Sequence, residues 1–320
     1  MMNKRMKSGN YDPGLGARLE GVNNRIIDKE GRFNISRQGQ EFSLRDVFQH
    51  LINISWPLFL VYILGAFFIL NSIFAIIYVW VGIEGLQGAS LGSFWHEFKQ
   101  AFFFSIQTSA TVGYGFMAPT NDSTNIISSI ETILGLLSFS IATGLFYGRF
   151  SRPKSAIIYS DNALIAPFKE GYAWEFKIVN RRSDTLMDVE ARTVLTFLEQ
   201  TPEGNHTRKY LQLPLQISQV AFMPLTWTLV HEIGAESPLA GFSKEYLEQI
   251  NAEVLIQIKA FDETYNQTIY SRYSYPAREW IWGAKFKPSF VNDPNGATIV
   301  SVDKISEYEP LTDTKSVLLR

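Results

Sequence analysis

Apolar residues are distributed in two different ways along this chain, and the change from one to the other divides it. Pro57 to Trp80, "PLFLVYILGAFFILNSIFAIIYVW", runs without a charged residue. At about 1.5 Å per helical residue it can cross a hydrocarbon layer of about 30 Å. Thr124 to Tyr147, "TNIISSIETILGLLSFSIATGLFY", repeats the pattern with Glu131 as its one charge. Both predict transmembrane helices, with Trp56 at one end of the first and Tyr78 and Trp80 at the other, as an aromatic belt requires. Between them "HEFKQAFFFSIQTSATVGYGFMAP" (His96–Pro119) holds an apolar stretch too short to span. From Ala156 onward the period is two: "AWEFKIVN" sets Trp174, Phe176 and Ile178 against Glu175 and Lys177, and "AEVLIQIKA" does the same around Val254, Ile256 and Ile258. Turn clusters such as "TPEGN" and "DPNG" separate these runs, and only "SKEYLEQIN" (Ser243–Asn251) reads as a helix. Many short strands with little helix predict a β-sandwich.

The short apolar stretch predicts a re-entrant helix, and "TVGYG", Thr111 to Gly115, follows it. Backbone can leave a helix at membrane depth only where it is buried in protein or lines a water-filled path. In an extended loop of alternating backbone handedness, the carbonyls of Thr111, Val112, Gly113 and Tyr114 can turn to one side, with glycine tolerating the positive φ this needs. Four copies around an axis would stack rings of oxygens in which a dehydrated cation exchanges water for carbonyls, the Thr111 hydroxyl adding a ring at the inner end. Potassium suits such a site.

Just before the first span, "SLRDVFQHLIN" (Ser43–Asn53) places Leu44, Val47, Phe48, Leu51 and Ile52 on one face with Arg45, Asp46 and Gln49 opposite, Ser43 as N-cap. It predicts an amphipathic helix lying in the membrane interface. Nine lysines and arginines precede Asp46, and Arg149, Arg152 and Lys154 follow the second span, whereas Val81–His96 and Ala118–Thr124 have none. The positive-inside rule then puts both termini in the cytoplasm. The three basic residues after the second span are also candidate contacts for anionic lipid.

Overall charge narrows the function further. A formal net charge of -2 argues against nucleic acid as a partner. The chain has no cysteine, and its four histidines, His50, His96, His206 and His231, are too scattered for metal-ligand spacing. No nucleophile–base pair stands out either, so an enzyme and a resident cofactor are not expected. The competing reading is a membrane-anchored sandwich that binds or scaffolds, which leaves the re-entrant segment without a purpose.

The runs "SWPLFLVYILGAFFILNSIFAIIY", "AFFFSIQTSATVGYG" and "TGLFYGRFSRPK", with "WTLVHEIGAESPLAG" and "SRYSYPAREWIWGAKF" in the β region, resemble the bacterial branch of the inward-rectifier potassium channels, KirBac, from Phe42 to about Val302. The resemblance implies a homotetramer in the bacterial inner membrane. Its expected organisation is a cytoplasmic segment (1–42), a slide helix (43–54), a pore domain (55–150) and an immunoglobulin-like sandwich (151–320). Within the pore domain it expects an outer helix at 56–80, a pore helix at 96–108, a selectivity filter at 111–115 and an inner helix at 124–150. It further implies a hinge at Gly135, a constriction at Tyr147, a cavity lined by Thr132, Phe139 and Thr143, and a vestibule acid at Asp188. Thr264–Ile269 becomes the apical loop of that vestibule. Two departures matter. Phe139 stands where strongly rectifying members carry an acid, which predicts weak rectification. Gln107 and Met117 replace a glutamate and an arginine that pair behind the filter in many members, so the filter must be held in some other way.

Overall fold

The computed structural model describes residues 13–16, 25–36, 39, 44–151, 155–200, 204, 206–295 and 297–311, and the chain divides into two compact units. One unit, 39–152, is helical. The other joins residues 1–38 to 153–320 and is built of strands.

In the helical unit α1 (Leu44–Asn53) precedes α2 (Trp56–Val81), with Pro57 in the first turn of α2 where its missing N–H leaves no bond unmade. The proposed cap of α1, Ser43, lies outside the described residues. Helix α3 (Phe94–Ser109) begins at Ser93, whose hydroxyl accepts from His96 N, and α4 (Asp122–Phe150) begins at Asn121, whose side chain accepts from Thr124 N at 2.9 Å. Two short strands, β1 (Leu86–Gln87) and β2 (Ala118–Pro119), pair antiparallel and tie the loop after α2 to the segment after the TVGYG motif. The helices pack around Phe74, Ala75, Tyr78, Ala101 and Phe104. Among the described residues, helices α2 and α4 are the two that are long and apolar enough to cross a membrane. Most of their large apolar side chains, such as Val61, Ile69, Ile133 and Leu137, point away from the rest of the chain, as lipid or further copies would require.

The second unit is a two-sheet sandwich. Strands β3 (Ile157–Tyr159), β4 (Ala163–Phe168), β5 (Gly171–Asn180), β6 (Leu186–Gln200), β7 (His206–Gln212), β8 (Gln219–Met223) and β9 (Trp227–Ile233) lead to the short helix α5 (Lys244–Gln249). Strands β10 (Glu253–Asp262), β11 (Gln267–Pro276) and β12 (Trp280–Trp282) follow it. One sheet runs β11-β10-β6-β7 with β8 also on β6, the other β12-β4-β5-β3 with β9 also on β5. Every pairing is antiparallel except β12 with β4. The alternation read from the sequence is the packing: Trp174, Phe176 and Ile178 of one sheet meet Val254, Ile256, Ile258 and Tyr275 of the other in a single core. The small pairs β13 (Ala284–Phe286) with β16 (Tyr308–Pro310), and β14 (Phe290–Asn292) with β15 (Thr298–Val300), close the C-terminal part.

Residues 25–36 belong to this sandwich unit, although more than a hundred residues of membrane module separate them from it in sequence. Ile26 and Ile27 are buried beside Val194, Tyr210 and Leu255. The Ile26 amide donates to Glu253 Oε1 at 3.1 Å, Ser274 Oγ donates to the Ile27 carbonyl at 2.9 Å, and Arg25 pairs with Glu279 at 3.0 Å. Burial pushes the Glu253 carboxyl above its ordinary value, offset in part by the bonds from Ser274 and Ile26 and by Arg208 and Arg25.

Candidate functional site

The C-terminal end of α3 organises the motif that follows it. The Ala110 amide closes the helix on the Ile106 carbonyl, and Thr111 N donates to Thr108 O at 3.0 Å. The Gln107 carbonyl then accepts from both Val112 N, at 2.8 Å, and Gly113 N, at 3.2 Å. The amides entering the motif are therefore spent on the helix. Among the described residues the carbonyls of Thr111, Val112, Gly113, Tyr114 and Gly115 accept no hydrogen bond. Thr111 (φ 57°), Gly113 (φ 54°) and Gly115 (φ 83°) lie in the left-handed region, alternating with Val112 and Tyr114. This alternation lets successive carbonyls share one direction. Two of its three positions are glycine, which takes such φ values without strain. A helix C-terminus also carries partial negative charge, so the end of α3 favours a cation beyond it. The Tyr114 side chain is 77% exposed in the single chain.

Helix α4 carries two stripes. Thr124, Glu131, Gly135 and Leu145 are buried against the other helices. Thr132, Phe139, Thr143 and Tyr147 recur at intervals of seven and four residues, about 100° further round the helix. Phe139 and Tyr147 on this second stripe are each 74% exposed in the single chain. The hydroxyls of Thr132 and Thr143 donate back to the Ser128 and Phe139 carbonyls at 2.8 and 2.9 Å. Gly135 sits where α4 meets the end of α3: a Cβ there would run into the Ser109 carbonyl oxygen and lie 2.8 Å from the Ser109 Cα. Close helix contact accounts for glycine at this position.

Arg149 turns back from α4 onto the junction of α1 and α2. Its Nη1 donates to the carbonyls of Leu51, at 2.5 Å, and Ile52, at 3.0 Å, and its Nη2 donates to Ile54 at 2.8 Å. Its guanidinium lies 4.5 Å from the ring centres of both Trp56 and Phe59. The Leu51 and Ile52 carbonyls are unsatisfied C-terminal groups of α1, which a cation complements, and Ile54 follows directly after it. Gly148 approaches the same helix, 3.3 Å from Ile52 Cδ1 when given a Cβ. Arg152 and Lys154, the other two basic candidates, lie outside the described residues.

Asp188 is the irregular residue of β6, with φ 47° beside the register shift opposite Lys259 and Phe261. It is exposed and makes no ion pair among the described residues. Glu190, two residues on, faces Lys259 across the sheet and pairs with Arg192 at 2.7 Å.

The sequence, in which Glu131 sits one turn before Gly135 and off the Thr132–Phe139–Thr143 stripe, turns this carboxyl toward the re-entrant helix, but the partners it meets behind α3 were not foreseen. Tyr78 donates to Glu131 Oε2 at 2.8 Å, Ser105 contacts Glu131 Oε1, and Ser105 and Ser109 lie 2.9 and 2.7 Å from Asn71 Oδ1. Their signal was present as Asn71 in the middle of an otherwise apolar span, and as serines four residues apart on α3.

Two spans, a helix that stops between them, and a loop whose carbonyls are left for a cation define the subunit of a membrane ion channel. Residues 27–153 match the inward rectifier potassium channel transmembrane domain, and residues 157–317 match the inward rectifier potassium channel C-terminal domain. The chain is 32% identical over 285 residues to inward rectifier potassium channel Kirbac3.1 of Paramagnetospirillum magnetotacticum, covering 88% of this chain and 95% of that one. It is 26% identical over 300 residues to ATP-sensitive inward rectifier potassium channel 12 of Homo sapiens, covering 85% and 68%. With G protein-activated inward rectifier potassium channel 1 of Bos taurus it shares 28% over 287 residues, covering 82% and 57%. The chain belongs to the inward rectifier potassium channel family, and its function is that of a potassium-selective channel of this type.

Proposed function

We propose that four copies surround one axis and pass potassium through carbonyl rings of Thr111, Val112, Gly113, Tyr114 and Gly115. The observation that carries this assignment is the division of labour in the motif, with its first amides bonded to α3 and its carbonyls unbonded. Inward of the filter, Thr132, Phe139 and Thr143 line the cavity, and the four Tyr147 rings close it by steric block and dewetting. Phe139 offers no charge to hold a blocking cation there, so rectification is weak; Asp188 gathers cations in the cytoplasmic vestibule.

Arg149 gives the gate its lever. It binds the end of α1 two residues after Tyr147, so a shift of the interfacial helix moves the constriction with it. With Arg149 spent on carbonyls, attraction of anionic lipid falls mainly to Arg152 and Lys154, at about 1 kcal/mol each. The channel resides in the bacterial inner membrane with both termini cytoplasmic, and Gly135 is the point about which α4 bends when the gate opens.

Rubidium uptake by liposomes holding the purified full-length protein tests this reading. We expect uptake driven by a potassium gradient, stopped by barium and raised severalfold by Tyr147→Ala. Absence of uptake across liposomes of varied anionic-lipid content would sink it, and an unchanged rate in Tyr147→Ala would remove the gate from that position.

A further inference from the structure

We infer that Glu131 is a positioning residue for ion selection: with Asn71, Tyr78, Ser105 and Ser109 it forms a buried polar clamp that sets the height and angle of the selectivity filter. Asn71, Ser105, Glu131 and Tyr78 are fully enclosed, and Ser109 is 6% exposed. They come from three helices and converge on one turn. Ser105 and Ser109 are the last two turns of α3 on a single face. Glu131 of α4 holds Ser105, Tyr78 of α2 holds the other oxygen of Glu131, and Asn71 of α2 receives both serines. Asn71 is itself fixed by its Nδ2, which donates to the Phe67 carbonyl at 2.7 Å. The close approach of Gly135 to Ser109 brings the backbone of α4 to the same turn.

That turn is also the one from which the filter hangs. Gln107 and Thr108, between the two serines, supply the carbonyls that hold the amides of Thr111, Val112 and Gly113. A displacement of Ser105 or Ser109 is therefore passed to the filter through one turn of helix. Buried polar networks are rigid when satisfied and costly when broken, most of all where no water can substitute. Ion selection depends on where the filter carbonyls stand. Gln107 and Met117 form no ion pair behind the filter, so the clamp supplies the bracing that such a pair would give.

The hydrogen count separates position from charge. The cluster has oxygen–oxygen contacts at Tyr78–Glu131, Ser105–Glu131, Ser105–Asn71 and Ser109–Asn71, and Tyr78, Ser105 and Ser109 contribute one hydroxyl proton each. An amide in place of the Glu131 carboxyl brings its own N–H and completes the set. A carboxylate acting by its charge on the permeant ion would not survive that exchange.

The proposal rests on the channel reading, and reversal potentials in giant-liposome patches under potassium on one side and sodium on the other test it. Conduction of the parent protein is the control; a parent that passes no potassium would overturn both. We expect Glu131→Gln to keep the potassium-to-sodium permeability ratio within about twofold, and Ser105→Ala, Asn71→Leu and Glu131→Leu each to lower it about tenfold, the loss of one buried hydrogen-bonding partner. Tetramer formation is checked for each on gel filtration, and should Glu131→Leu not assemble, Ser105→Ala and Asn71→Leu decide. Parent-like selectivity in assembled Ser105→Ala and Asn71→Leu, or a collapse of conductance in Glu131→Gln, would overturn the proposal.

Discussion

The membrane module and the β-sandwich are inside-out relative to each other. In the sandwich, Trp174, Phe176, Ile256 and Tyr275 are enclosed by the chain's own strands. In the membrane module, α2 turns Val61, Ile69 and Ile73 outward and encloses Asn71, while α4 turns Ile133 and Leu137 outward and encloses Thr124 and Glu131. In a sandwich surrounded by water, apolar burial provides the driving force. Between helices in lipid it provides little, because lipid tails are as apolar as leucine, and small residues and polar contacts decide the packing. Mutations that damage one region should therefore differ in kind from those that damage the other.

The largest effect tests the sandwich side. Trp174 lies between the sheets with ring centres 5.3 Å from Phe176, 5.9 Å from Trp280 and 6.1 Å from Tyr275. Trp174→Ala is expected to destabilise the β unit by about 3–5 kcal/mol. Limited proteolysis of the full-length protein in detergent, followed by the urea concentration at which the β unit becomes cleavable, measures it. The potassium-to-sodium ratio of channels that still conduct should be unchanged; a lost ratio would tie the filter to the sandwich core and break the comparison.

The next effect is on the membrane side, where even the first side-chain carbon finds no room. A Cβ on Gly135 meets backbone atoms of Ser109, which no side-chain rotation can relieve. Gly135→Val should force α3 and α4 apart at an expense of about 1–3 kcal/mol and lower both tetramer yield and potassium selectivity. Gly65 in α2 has nothing within 4 Å of the equivalent point, and Gly65→Val serves as its comparison. Equal behaviour of the two on gel filtration and in flux would refute close packing as the reason for glycine at 135.

How far the sequence revealed this structure follows from the same contrast. The two long apolar helices and the loop behind α3 were legible because their signals are local: a run without charge, then TVGYG behind a helix too short to cross. Strand alternation was legible for the same reason, since Trp174, Phe176 and Ile178 record their own facing. Docking of residues 25–36 on the sandwich was not, because Arg25 finds Glu279, and Ile26 finds Glu253, across the whole membrane module. Arg149 was read as a basic residue near lipid, since nothing beside it in the chain announces the carbonyls of Leu51 and Ile54. The clamp escaped for a third reason. Asn71 and Glu131 each stand out as polar within an apolar span, but nothing local says that they and Ser105 meet.

The smallest effect again separates the two regions, by pH. His231 of β9 is buried, its Nδ1 donating to the Pro214 carbonyl at 2.6 Å and its Nε2 accepting from Ser237 Oγ at 2.7 Å. Burial pushes its imidazole below the ordinary histidine value, against the Pro214 bond and Glu232, which favour the charged form. Because the folded value is the lower one, the unfolded chain takes up a proton first as pH falls. Stability contributed by the neutral ring is complete above the unfolded value of about 6.5 and is lost below it, at up to about 1.4 kcal/mol per pH unit. Urea-dependent cleavage of the β unit should shift to lower urea between pH 7 and pH 5.5. In His231→Asn, whose amide N–H can replace Nδ1–H on Pro214, the unit should be weaker at neutral pH but its slope flatter. A slope that persists in His231→Asn would move the acid sensitivity to another group, with Glu253 excluded by sign: its raised value makes the folded state gain, not lose, stability as pH falls toward it.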